Sequence, residues 1–161
     1  MRISASYVFA GILLSSCPLA AAETPVTPEP YMAPSLTVEQ PTNPVASAPG
    51  GPTLLSISAR LGPEVLNVKT ETIIPEFHFV APNGNAVLLH RDLVDTNAND
   101  IHFNPATAIN VPAEAQKQGA VISGNWKCNA GQYHATMRVY IMAADGSRSN
   151  SVQYTVHCNG G

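Results

Sequence analysis

Three consecutive stretches near the C-terminus decide the fold: YHATMRVYIM (133–142), AADGSRSN (143–150) and SVQYTVHC (151–158). Val152, Tyr154, Val156 and Cys158 fall on one parity, with Gln153, Thr155 and His157 between them. Tyr133, Ala135, Met137, Val139 and Ile141 alternate in the same way. A period of two is the mark of a strand buried on one face. Asp145-Gly146 supplies the turn, so the two runs form an antiparallel hairpin. Centred there, the pairing sets Tyr133 opposite Cys158, Met137 opposite Tyr154 and His134 opposite His157.

The two cysteines extend the reading to a third strand, 120–128. Of three cysteines, Cys17 lies in the leader, which leaves Cys128 and Cys158 as an even pair. In an oxidising compartment that pair is expected to be bridged, a reactive thiol being the lesser reading. If strands 120–128, 133–142 and 152–158 lay side by side, two strand spacings, about 9.5 Å, would separate the cysteines. A disulfide does not span that distance. The bridge therefore needs strand 120–128 in a facing sheet, with the chain crossing over near Asn129-Ala130-Gly131. Closing the loop contributes on the order of 3 kcal/mol. Trp126 shares the face of Cys128 and is expected beside the sulfurs.

Upstream to Thr53 the chain keeps this character. Leu55, Ile57, Ala59 and Leu61 alternate with polar residues, Phe77 and Phe79 flank His78, and Pro82-Asn83-Gly84-Asn85 marks a tight turn before 86–89. Residues 95–100 form a polar loop, and 101–103 and 108–111 read as short strands. Pro112 to Gly119 reads as one short helix, with Pro in its first turn and Gly past its end. About seven short strands in residues 53–161 predict an all-β, immunoglobulin-like antiparallel β-sandwich with one short helix. The hairpin 133–157 resembles bacterial immunoglobulin-like and fibronectin-III-like modules. That resemblance implies a fold and no activity. The disulfide departs from the immunoglobulin arrangement, because its second cysteine lies on the final strand.

Residues 1–22 read as a signal peptide: Arg2 is the basic start, 7–14 the apolar segment, and Ala20 to Ala22 the cleavage site. The apolar segment is too short for a membrane-spanning helix, and no second such run follows. Leu14-Ser15-Ser16-Cys17 also resembles a lipobox, in which Cys17 is acylated; both processing routes stand. Prolines recur through 23–52, which predicts a disordered, extended tether. The expected location is outside the cytoplasm: periplasm or extracellular space, or the outer membrane if Cys17 anchors the chain.

Only 12% of residues are charged and the net charge is −3, which gives no basis for capture of nucleic acid or anionic lipid. No nucleophile elbow, HExxH or phosphate loop is present, so no catalytic residues are assigned. His134 and His157 are outward and opposed, with Cβ atoms about 5 Å apart, a spacing that suits Zn²⁺ or Cu²⁺. Two unremarkable exposed strand positions are the plainer reading. Asp95 to Asp100 resembles the opening of a calcium loop, but Asp100 stands where Gly is required and Ala106 where a bidentate Glu is required. His78, His90 and His102 are expected at solvent or a polar edge. His134, Arg138, Tyr140 and His157 make the expected contact surface. The resulting expectation is a non-catalytic exported module without a cofactor, binding a protein or glycan or serving in an envelope assembly. A small metal-binding periplasmic protein and a secreted inhibitor or effector are the alternatives.

Overall fold

The computed structural model describes residues 32–62, 71–82, 86–101, 104–113, 119–128 and 131–159. Nine strands run through them: β1 (Ser35–Val38), β2 (Thr53–Leu61), β3 (Thr72–Val80), β4 (Ala86–Thr96), β5 (Ala106–Asn110), β6 (Ala120–Ser123), β7 (Trp126–Lys127), β8 (Gln132–Ala143) and β9 (Val152–Asn159). They build two antiparallel sheets, one ordered β1-β9-β8-β4-β5 and the other β2-β3-β6, with β7 also paired to β3. The described residues are thus all-β, and the two sheets enclose one apolar core. No helix occurs among the described residues. The helix expected over Pro112 to Gly119 is not seen: residues 114–118 lie outside the described set, and Gly119 has the left-handed φ of 88°. No described helix is long and apolar enough to cross a membrane.

The β8–β9 hairpin has the expected register, with Tyr133 opposite Cys158, His134 opposite His157 and Met137 opposite Tyr154. All apolar residues of the inward parity from Ala135 to Ile141 and from Val152 to Cys158 are buried. Towards the turn the pairing slips by one residue, since Met142 bridges Arg148 and Ser149 N–H donates to Ile141 O. The Ser149 hydroxyl fills the slip by accepting from Ile141 N–H. At the tip, Asp145 Oδ1 accepts from both the hydroxyl and the N–H of Ser147. Those two bonds, the hydroxyl one first, hold the Asp145 carboxyl below its ordinary range.

Cys128, just past β7, and Cys158, on β9, are bonded with Cα atoms 5.1 Å apart. The cysteines therefore sit on facing sheets, as the spacing argument requires. Trp126 is 9% exposed and lies in the same core cluster as both cysteines.

Two expectations are corrected. The tether does not run to residue 52. Ser35–Val38 has no proline and pairs with β9, Leu36 opposite Val156. β9 would otherwise leave a row of backbone groups unpaired along its edge, and this run covers them. Two carboxamides then protect β2. Gln40 donates to Ile57 O and accepts from Ile57 N–H, at 2.6 and 3.2 Å. Asn150 does the same for Leu54, at 3.0 Å in each direction. Each side chain imitates a neighbouring strand at one residue of the edge. Residues 1–31, which include the expected leader and Cys17, lie outside the described set.

The second correction concerns β2 itself, where the register shifts between Leu54 and Ser56. This bulge turns Leu54 into the core and leaves Leu55 41% exposed, so the simple alternation from Leu55 to Leu61 does not hold.

Pro75 sits in β3, the central strand of its sheet, a position proline rarely occupies. Its missing N–H would leave a ladder bond unmade, and the facing strand divides there. β6 ends at Ser123 opposite Glu76 and β7 begins at Trp126 opposite Ile73. Gly124 N–H keeps a single link, to Pro75 O at 2.9 Å.

Candidate functional site

The break at Gly124-Asn125 opens onto the seam between the sheets. On this side a five-stranded sheet faces a narrower one, and residues of β5 and β6 line the gap between them. The gap is a cleft of about 870 Å³, within the ordinary range of ligand pockets. Leu89 and Arg91 of β4 and Thr107 of β5 form one wall, and residues 122–127 form the other. The 97–101 loop, Asn104, Gln132 and Tyr133 close one end.

Arg91 is the chemically distinctive residue. On β4, Val87, Leu89 and Arg91 share the inward parity, and the first two are buried. The arginine therefore enters the space between the sheets instead of solvent. Its Nη2 donates to Thr107 Oγ1 at 2.9 Å, while its Nε is buried without a hydrogen-bond partner. Among the described residues its guanidinium forms no ion pair. A buried donor lacking an acceptor is costly, more so on a charged group. Glycine at 124 makes room for this side chain: a Cβ there would lie 3.2 Å from Arg91 Nη1 and 3.6 Å from the Phe77 ring.

Tyr154 lies in the core beneath. Burial pushes its hydroxyl up to about 12, and the Arg91 charge pulls it the other way. The raised value sets the sign of an alkaline effect. Below pH 10 both folded and unfolded chains hold the proton, so stability is intact; above it the unfolded chain loses the proton first. Unfolding free energy is expected to fall by on the order of 2–3 kcal/mol between pH 10 and 12. Urea melts across that range check this, and absence of a decline above that of Tyr154→Phe contradicts it.

Trp126 and Tyr133 fix the closed end. Trp126 Nε1 donates to Tyr133 Oη, and Tyr133 Oη donates to Lys127 O, both at 3.0 Å. The carboxamides are set by their oxygens. Asn97 Oδ1 accepts from His134 N–H at 2.7 Å and Asn104 Oδ1 from Ala106 N–H at 3.1 Å. In each case the NH₂ is the end left to donate.

The residues proposed from sequence lie elsewhere, on the outward face of β8 and β9. His134 and His157 are directly opposed, but His134 Nε2 is 3.1 Å from Asp95 Oδ2, and Ser35 of β1 flanks His157 on its other side. Among the described residues no group of three or more His, Cys, Asp and Glu is placed to hold a metal ion. In the calcium-like loop, the Asp95 carboxylate goes to His134 and the Thr96 hydroxyl donates to His134 O. These oxygens tie the loop to β8 and do not converge on a centre. Arg138 is exposed opposite Asp92 of β4. Tyr140 stacks on His90, centroids 4.9 Å apart and planes 2° apart, with the Arg148 guanidinium 5.8 Å above the ring. His90 is thus half-buried, with Nε2 buried and unpartnered, and not at a solvent edge as its alternation suggested. His78 bonds Ser58 on the opposite sheet's outer face, and His102 lies outside the described residues.

Arg91 belongs to no motif that marks it in the sequence. Its parity with Val87 and Leu89 was the signal that could have found it, since a cation at an inward position needs a reason.

No family model, curated protein or solved structure matches the chain.

Proposed function

We propose that this chain is a non-catalytic, exported binding module of immunoglobulin-like or fibronectin-III-like architecture, whose ligand enters the cleft between the sheets. The observation carrying the reading is the inward Arg91, short of acceptors, in a cleft of about 870 Å³. A cation turned toward a core serves binding better than it serves stability. The lining supports a binding role. Apart from Arg91, Asp100 and Lys127, most of its polar side chains are carboxamides and hydroxyls, which donate and accept hydrogen bonds but do not exchange protons near neutral pH. The disulfide favours an oxidising location. The run β4-β8-β9 in one sheet and β2-β3-β6 in the other parallels the C-F-G and A-B-E runs of immunoglobulin-like sandwiches.

Amide shift mapping of the ¹⁵N-labelled protein against a library of small polar fragments tests the site. Shifts are expected to cluster at residues 97–101, Thr107 and 122–127. Shifts gathered on His134, Arg138, Tyr140 and His157 would move the site to the outward face and overturn this reading.

A further inference from the structure

We infer that the cleft takes a short acidic saccharide, its carboxylate held by the Arg91 guanidinium. This rests on the cleft being the binding site and adds the class of ligand. A guanidinium presents five N–H groups in a plane that matches a carboxylate edge. The Arg91 N–H groups bond one hydroxyl, Thr107 Oγ1, and Nε has no partner at all. An oxyanion drawn against the Nη end of this side chain supplies the missing counter-charge, while Nε is closed to solvent as the side chain stands. Where Gly124 removes its side chain, the far wall stops short of the guanidinium, and the Nη1 end reaches the break between β6 and β7.

The rest of the lining describes the body of the ligand. Asn104, Asn125 and Gln132 offer neutral hydrogen-bonding groups, whereas Leu89 and Ile122 offer apolar ones. A pyranose ring has both kinds of surface, hydroxyls at its rim and C–H groups on its faces. Besides Arg91 the lining carries one charge of each sign, Lys127 and Asp100, and a site with a net single positive charge suits a monoanion; a phosphate dianion calls for an excess of cations or a cradle of backbone N–H groups. A volume of about 870 Å³ accommodates more than one ring, which favours a short oligosaccharide over a free ion.

The test uses the full chain and a uronic-acid disaccharide beside its methyl ester, which keeps the body and removes the charge. Titration by amide shifts and calorimetry is expected to give the acid at least tenfold tighter binding than the ester, with shifts centred on residues 91, 107 and 122–127. Arg91→Met is expected to lower acid affinity at least tenfold and to leave ester affinity within twofold. Gly124→Ala, which displaces the guanidinium by a few tenths of an ångström, is expected to weaken the acid and spare the ester. Unchanged amide shifts along β1, β2 and β9, away from residues 91 and 124, show that both variants are folded. Equal binding of acid and ester in the cleft overturns the acidic ligand and leaves the binding site standing. Undiminished acid binding by Arg91→Met overturns the role of the arginine. A peptide C-terminal carboxylate that binds where the uronate does not overturns the saccharide. Failure of these probes and of the fragment library to shift any cleft amide overturns the site as well.

Discussion

Phe77→Ala is expected to destabilise the domain by about 4 kcal/mol, a loss seen as a fall of roughly 15 °C in melting temperature. Phe77 is 0% exposed and lies on β3, opposite Ile57 of β2 on one side and Ile122 of β6 on the other. Its ring meets Tyr154 of the facing sheet, with centroids 5.7 Å apart and planes tilted by 58°. The substitution removes the transfer energy of a large ring and leaves a cavity that paired strands on both sides prevent from collapsing. The edge of the same ring is also next to Gly124, so the hole opens beneath the guanidinium and loosens one wall of the cleft. Phe77→Leu fills most of the space and is expected to cost about 1–1.5 kcal/mol. Urea unfolding measures both, and a loss below about 1 kcal/mol for Phe77→Ala would mean that the sheets close over the gap.

Removing the disulfide has the next largest effect. The double variant Cys128→Ala, Cys158→Ala is expected to lose on the order of 3 kcal/mol, because the bridge removes loop-closure entropy from the unfolded chain. The structure adds a local consequence. Cys128 N–H bonds Glu71 O at 2.6 Å, which ties the bridge to the start of β3, and Tyr133 is the cross-strand partner of Cys158. Without the bridge, the bonds of the Tyr133 hydroxyl to Trp126 and Lys127 are left to hold the closed end of the cleft to the facing sheet, a weaker tie than a covalent one. Faster proteolysis near residues 126–133 is expected to accompany the lower melting temperature. An unchanged melting temperature relative to the oxidised parent would contradict the account.

What could be read early was local and periodic. The alternation in 133–158 specified which side chains face inward, and Asp145-Gly146 specified the register, because a turn between two period-two runs allows few pairings. His134 opposite His157 followed directly. Bulges are where that logic fails. The extra residue at Leu55 inverts the parity of the strand before it, and a second shift between Leu93 and Asp95 brings Asp95 beside Thr136 and within reach of His134. Nothing in composition marks either one.

The chain's own letters thus determined an all-β domain, its C-terminal hairpin, and two facing sheets pinned together, since alternation and one covalent length limit act between residues close in sequence or fixed in distance. Only the tertiary structure decided that Ser35–Val38 joins β9, that Pro75 splits the strand beside it, and that Arg91 meets Gly124 across the seam. Alternation says which face a side chain takes and is silent on what stands opposite; that depends on how two sheets of unequal width come together.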